Sequence, residues 1–410
     1  MRKDWRSDPL GTAQEVRRFM KIKKTVTGLL AGMVLLLAAG CTSESQAVYE
    51  QASTDLENGL YEEAASGYQQ VIDQGEYLAE AYRGLGIAYY KMGEYLDASN
   101  AFASALDQEG ISSGLQRDVL LYQAASCYRE GMYEVAAQSC QQAIDLESDV
   151  DSLFLMGKIQ LEQDNYEEAA DCFDQAYEAD SSYEMAIQIY QAYADRSMEA
   201  DGTEYLSRAL EKNAGSAEDY YERGMVYYVM KDYESAAESL TEAIDKNSRE
   251  AKLLLGDVYL AQNDVDNART MYQEYIDGEE GTAKGYNGLA LCDIEEGDYV
   301  SALDNIQKGL RAAEDDEMQG LLFNEAIIYE KQMNFQEALS KFETYLDLYP
   351  DDEDAQREYT FLQFRTGTSQ TSQDENGTEQ SETSGGTEQS ETSDGINSSG
   401  TENGSENENG

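Results

Sequence analysis

Between residues 45 and 350, apolar and polar positions follow the period of an α-helix in short runs separated by turn signals. In AEAYRGLGIAYYKMGEYLDASNAFASALD, residues 79–107, Tyr82, Leu85, Gly86 and Tyr89 fall on one helical face. Gly93-Glu94 breaks the run, and Tyr95, Ala98, Phe102 and Ala105 then mark one face of a second helix. The second-helix alanine recurs at Ala64, Ala98, Ala136, Ala169, Ala236, Ala268, Ala302 and Ala338, with Gly202 in the remaining slot. Successive spacings are 34, 38, 33, 33, 34, 32, 34 and 36 residues. Nine antiparallel helix pairs are therefore predicted. Gly86 set against Ala98 and Ala105 allows a short interaxial distance that larger side chains would prevent. One hairpin cannot bury both of its faces, so successive pairs must stack.

This spacing of small residues, with an aromatic near each turn, resembles the tetratricopeptide repeat. The resemblance implies an all-α fold, an α-α superhelix over residues 47–365. Some places depart from the pattern. Asp201-Gly202-Thr203 replaces the alanine in the pair around residues 183–212, which makes residues 195–216 the candidate joint in the stack. Cys140 fills a slot that is usually bulky, and Asp55 stands where a tyrosine is common. After Pro350, the acids Asp351 to Asp354 suit a helix N-terminus, where the dipole favours negative charge. Glu353–Arg365 then reads as a helix that caps the apolar end of the stack.

Beside the packing stripe, the first helices carry a second apolar stripe turned by about one residue. It comprises Arg83/Ile87/Tyr90, Leu121/Ala125/Tyr128, Phe154/Lys158/Leu161, Tyr221/Met225/Tyr228, Leu253/Asp257/Leu260 and Phe323/Ile327/Glu330. In the resembled family the first helices line a concave surface. The candidate contacts for a partner are thus Arg83, Ile87, Tyr90, Leu121, Tyr128, Phe154, Lys158, Tyr221, Met225, Tyr228 and Phe323. Rings and methionine on a rigid concavity suit a helical or extended peptide. Packing of part of this stripe against the next pair is the competing expectation.

The ends of the chain read differently. Met20 begins MKIKK, followed by the apolar stretch Thr25 to Ala39 and then Gly40-Cys41. A basic start, an apolar run and small residues before a cysteine make a secretory signal. Ala38-Ala39-Gly40-Cys41 resembles the lipobox of bacterial lipoproteins, which implies acylation of Cys41 and removal of residues 1–40. Ala38 stands where that family prefers leucine. Thr25 to Ala39 is shorter than the roughly twenty apolar residues that cross a bilayer. Residues 1–19 fit no part of the signal, and Met20 fits a start with an extension upstream. Residues 41–46 then form a tether. Residues 366–410 turn to Ser, Thr, Glu, Gly, Asn and Gln, with GTEQSETS at 377–384 and again at 386–393. With so few apolar residues this tail is expected to be disordered.

Composition narrows the chemistry. There are only two prolines, Pro9 and Pro350, in keeping with helix. The formal net charge is −53, or about −58 once residues 1–40 are removed. Nucleic-acid backbones and anionic lipid surfaces are disfavoured as partners, so any membrane attachment runs through the lipid anchor. No histidine is present, and Cys41, Cys127, Cys140, Cys172 and Cys292 form no CxxC pair. The usual general base and zinc-type ligand sets are therefore missing, and neither enzyme activity nor a cofactor is expected. Cys127, Cys140, Cys172 and Cys292 read as apolar fillers, with a Cys127–Cys140 disulfide allowed outside the cytoplasm. A membrane-anchored, extracytoplasmic scaffold for a protein or peptide partner follows, with a composition suggesting a Gram-positive cell. Two alternatives stay open: a small-solute or glycan-binding lipoprotein using the tyrosines as stacking platforms, and an assembly lipoprotein of an outer-membrane or pilus machine.

Overall fold

The computed structural model describes residues 44–278, 283–313, 317–350 and 352–367. The signal, Cys41 and most of the 366–410 tail lie outside the described residues. Within them the chain is all helix, nineteen in number. In order these are α1 Glu44–Glu57, α2 Tyr61–Gln74, α3 Leu78–Lys91, α4 Tyr95–Leu106, α5 Ser113–Arg129 and α6 Tyr133–Leu146. Next come α7 Val150–Glu162, α8 Tyr166–Ala179, α9 Tyr183–Asp195, α10 Glu199–Leu210, α11 Ala217–Val229 and α12 Tyr233–Asp245. The series ends with α13 Glu250–Ala261, α14 Val265–Ile276, α15 Ala283–Glu296, α16 Tyr299–Ala312, α17 Met318–Lys331, α18 Phe335–Leu348 and α19 Glu353–Thr366. Consecutive helices from α1 to α18 form nine pairs, and α19 packs on α18. Helix α1 starts at Glu44, inside the expected tether.

One turn closes every pair. The first helix ends in a residue of positive φ at Gly59, Gly93, Gly131, Asp164, Ser197, Lys231, Asn263, Gly297 and Met333. The next residue donates its N–H back into the helix, as in Glu94 to Tyr89 at 2.9 Å and Met198 to Tyr193 at 2.9 Å. This Schellman closure satisfies carbonyls that the helix end would otherwise orphan. Five residues beyond each turn stands the periodic small residue, and all eight alanines are fully buried. Gly202 keeps that register. A Cβ on it would lie 2.8 Å from the Tyr190 Cα, so glycine lets α10 approach α9 more closely than alanine would.

The close contact inside a pair is between a small residue of the first helix and the side chain sixteen positions later. Gly86 faces Phe102, Gly157 faces Phe173, Gly224 faces Leu240 and Gly256 faces Tyr272. The sequence placed Gly86 against Ala98 and Ala105, whereas the Phe102 ring lies directly over it, and an added Cβ would come within 2.6 Å of that ring. Cys140 is this residue in its pair. It is wholly buried, and its thiol donates to the Ser152 carbonyl at 3.3 Å.

At residues 195–216, helices α10 and α11 touch only slightly, and α9 carries the packing to α11. One apolar cluster nevertheless runs from Leu153 through Ile189, Tyr193 and Leu206 to Val226. At the far end α19 buries Ala355 and Leu362 on α18, and Asp352 caps it by accepting from the Ala355 N–H at 2.9 Å.

Candidate interaction surface

The second stripe occupies the same three positions on successive first helices: three before, one after and four after the small residue. Its members are fixed in different ways. Ile87, Leu121 and Phe154 are buried. Ile87 packs with Phe102 and Val119, and Leu121 with Ala143. Phe154 joins the cluster that includes Phe173 and Tyr193. For Ile87 and Phe154 the following layer takes the surface that a partner would need, because stacked pairs must bury apolar area between them, whereas Leu121 is covered from its own pair.

Arg83, Tyr90, Tyr128, Lys158, Tyr221, Met225, Tyr228 and Phe323 remain partly exposed. Tyr90, Tyr128 and Tyr228 share one arrangement. Each ring sits against the aromatic that opens the second helix, with centroids 5.4 Å apart for Tyr90–Tyr95, 5.8 Å for Tyr128–Tyr133 and 5.9 Å for Tyr228–Tyr233. Lys158 bridges two layers, with its ammonium 5.2 Å from the Tyr128 ring centre and 5.8 Å from that of Phe154. Arg83 pairs with Asp118 of the next first helix and lies 5.7 Å from the Tyr122 ring centre. Phe323 belongs to an aromatic group, 5.4 Å from Phe342 and 5.7 Å from Tyr345. Burial pushes the Tyr221 hydroxyl up to about 12, with Glu250 adding to the shift. It stays neutral at physiological pH.

Sequence reasoning missed the clips that join layers. Arg196 reaches Glu162 at 2.9 Å and Asp164 at 2.6 Å, and Arg208 reaches Asp174 at 2.6 Å. Arg269 holds Asp293 at 2.8 Å and Glu296 at 2.9 Å. The separations of the Arg196 and Arg208 clips, such as 34 residues for Arg196–Glu162, lie near the repeat length, and that was the available signal. An open cleft of about 750 Å³ lies beside α11 and α12, with Tyr220, Arg223, Tyr227 and Glu242 on its walls. Arg223 is committed there, donating to the Lys212 carbonyl at 2.9 Å and the Leu210 carbonyl at 3.4 Å. The four described cysteines are thiols, so Cys127 and Cys140 form no disulfide in this structure. No helix among the described residues is long and apolar enough to cross a membrane.

The tetratricopeptide-repeat family model matches residues 83–151, 150–183, 221–285 and 253–317. The chain is a tetratricopeptide-repeat protein. Among curated proteins, this repeat protein is 22% identical over 265 residues to a BBSome complex member BBS4 homolog of Drosophila melanogaster. The match covers 64% of this chain and 49% of that protein, so the chain spans about half the length of the relative it matches. Similar solved structures include a tetratricopeptide repeat protein from Parabacteroides merdae, at 17% identity and a TM-score of 0.43, covering 60% of this chain and 98% of that one. Yeast Tom70 is another, at 13% identity and a TM-score of 0.28, covering 79% and 96%. Tetratricopeptide folds are generally non-enzymatic scaffolds that mediate protein–protein interaction.

Proposed function

We propose that this tetratricopeptide-repeat scaffold holds a peptide or helix of a partner protein along the second stripe of its first helices, in a concave groove. The carrying observation is the recurrence of one ring arrangement at Tyr90, Tyr128 and Tyr228, each fixed against the start of its second helix. Rings held this way lose little further freedom on binding, which is the condition for a contact to yield net affinity. Lys158 between Tyr128 and Phe154 supplies a cation beside this row. The finer reading includes location. Acylation of Cys41 would hold the scaffold on the extracytoplasmic face of the cell membrane, and the lipobox-like Ala38-Ala39-Gly40-Cys41 supports it.

The test is crosslinking and affinity capture from membranes with wild type and a Tyr90→Ala/Tyr128→Ala/Tyr221→Ala variant whose helicity is checked by circular dichroism. A protein held by the wild type and lost with the folded variant supports the groove. Equal capture by both places the contact elsewhere. For the anchor, Cys41→Ser is expected to abolish processing and lipid labelling, and unchanged processing overturns that part.

A further inference from the structure

The last described helix carries two exposed phenylalanines on its otherwise polar outer face. Helix α19 turns Ala355 and Leu362 inward, while Phe364 is 78% exposed and Phe361 is 38% exposed on its outer side. The terminal unit of a solenoid ordinarily needs a polar outer surface, since no further layer covers it. Two phenylalanines at i and i+3 instead form the centre of a small apolar face. Charge is arranged along that face with a direction. Asp354 lies at its N-terminal end, Arg357 follows within one turn and pairs with Asp354, and Arg365 ends it. Arg365 lies 4.6 Å from the ring centre of Phe335 and 6.0 Å from that of Phe361. In a chain of 82 acidic and 29 basic residues, Arg365 keeps a cation beside the exposed Phe361 ring.

We infer that this face pairs with the same face of a second copy, antiparallel, to form a two-fold symmetric dimer through α19. The argument is self-complementarity. An isologous interface needs a patch that matches its own rotated image. With the two-fold axis crossing the middle of the helix, Arg365 of one copy comes beside Asp354 of the other. Arg357 comes over the second copy's Phe361, and the exposed rings of both copies are covered. Parallel pairing would set arginine against arginine. Acid at the N-terminal end and arginine at the C-terminal end also suit both helix dipoles. One helix face is a small interface, so a weak, concentration-dependent dimer is expected.

The test is sedimentation equilibrium on residues 42–410, which retain every core cluster described, between about 1 and 300 µM. A monomer–dimer equilibrium is expected for the wild type. Phe364→Glu, at an exposed position, is expected to weaken dimerisation at least tenfold without loss of helicity. Arg365→Asp and Asp354→Arg are each expected to weaken it, and the double exchange to restore it. Such rescue is specific to antiparallel pairing of this helix and does not follow from a structural role of Arg365. A monomer throughout the range overturns the inference, as does a dimer indifferent to Phe364→Glu. A monomer that binds neutral phosphatidylcholine vesicles through Phe364 also overturns it and assigns the face to a lipid surface.

Discussion

The Tyr272 hydroxyl donates to the Asp257 carboxylate at 2.6 Å, across one helix pair and fifteen residues. The first pair repeats the relation in neutral form, with the Tyr68 hydroxyl donating to the Ser53 hydroxyl at 3.1 Å. In both pairs the tyrosine ring fills the space over a small residue, and its polar end needs an acceptor on the next position of the facing helix. A serine serves this need at no charge cost. An aspartate serves it at the cost of a carboxylate withdrawn from water, and burial pushes Asp257 up to about 7, with the Tyr272 hydroxyl bond working the other way.

A pH dependence follows from that raised value. The folded protein holds the Asp257 proton more tightly than the unfolded chain does, so this contribution to stability is complete below about pH 4. It is lost as pH rises through about 7. Asp257→Asn keeps an acceptor for Tyr272 and removes the charge. The variant is expected to exceed wild type by about 1–3 kcal/mol at pH 8 and to lose that advantage by pH 4. Urea denaturation of both proteins at several pH values checks this, with the difference between them cancelling the titration of other carboxylates.

Tyr272 is also wedged between two layers, with Gly256 of its own pair on one side and Gly288 of the next on the other. A Cβ at Gly256 would lie 2.5 Å from the ring, and the ring is almost wholly buried and cannot swing away. Gly256→Ala and Gly288→Ala are each expected to destabilise by about 1–3 kcal/mol, despite the helix propensity that alanine adds. Chemical denaturation measures it. A gain in stability would show that the two helices can separate freely.

Met333 holds a φ of 60° at the turn of the ninth pair, where four other turns use glycine. Its side chain is mostly solvent-exposed, so replacing it removes little packing. A left-handed conformation costs a residue with a Cβ roughly 1–2 kcal/mol. Met333→Gly is accordingly expected to stabilise by about 0.5–1 kcal/mol after glycine's extra chain entropy, read as a higher denaturation midpoint.

Asp293 is buried with three partners: Arg269, Asn305 at 2.7 Å, and the Asp298 N–H on its backbone carbonyl at 2.8 Å. Arg269→Met leaves its carboxylate without a cation. A loss of about 2–4 kcal/mol is expected. Asp293→Asn in the same background is expected to recover part of it, which separates the uncompensated charge from lost packing.

The thiols should be quiet in the folded state. Burial pushes Cys140 and Cys292 up to about 12 and Cys172 up to about 11, and it raises Cys127 as well. In iodoacetamide labelling at pH 8 followed by peptide mapping, Cys172, the partly exposed member, is expected to label first. The other three should label only in denaturant.

Much of this architecture was legible because it is local. The small residue of each second helix, the turn five residues before it and the capping helix after Pro350 all follow from spacing along the chain, and even Gly202 holds its place in register. What the stripe on the first helices does was not legible. Ile87, Leu121 and Phe154 have the same periodicity as Tyr90 and Tyr128, and periodicity reports a face without saying what covers it.

The sequence by itself determined an all-helical stack of nine pairs, since a repeat of about 34 residues with small side chains at the crossings admits few other packings. Only the tertiary structure decided which apolar side chains are spent between layers and which arginines clip one layer to the next. It also left the two phenylalanines of the last helix uncovered. Those outcomes depend on the angle and offset between neighbouring pairs, which arise when side chains far apart in sequence close-pack, and no position along the chain carries that information alone.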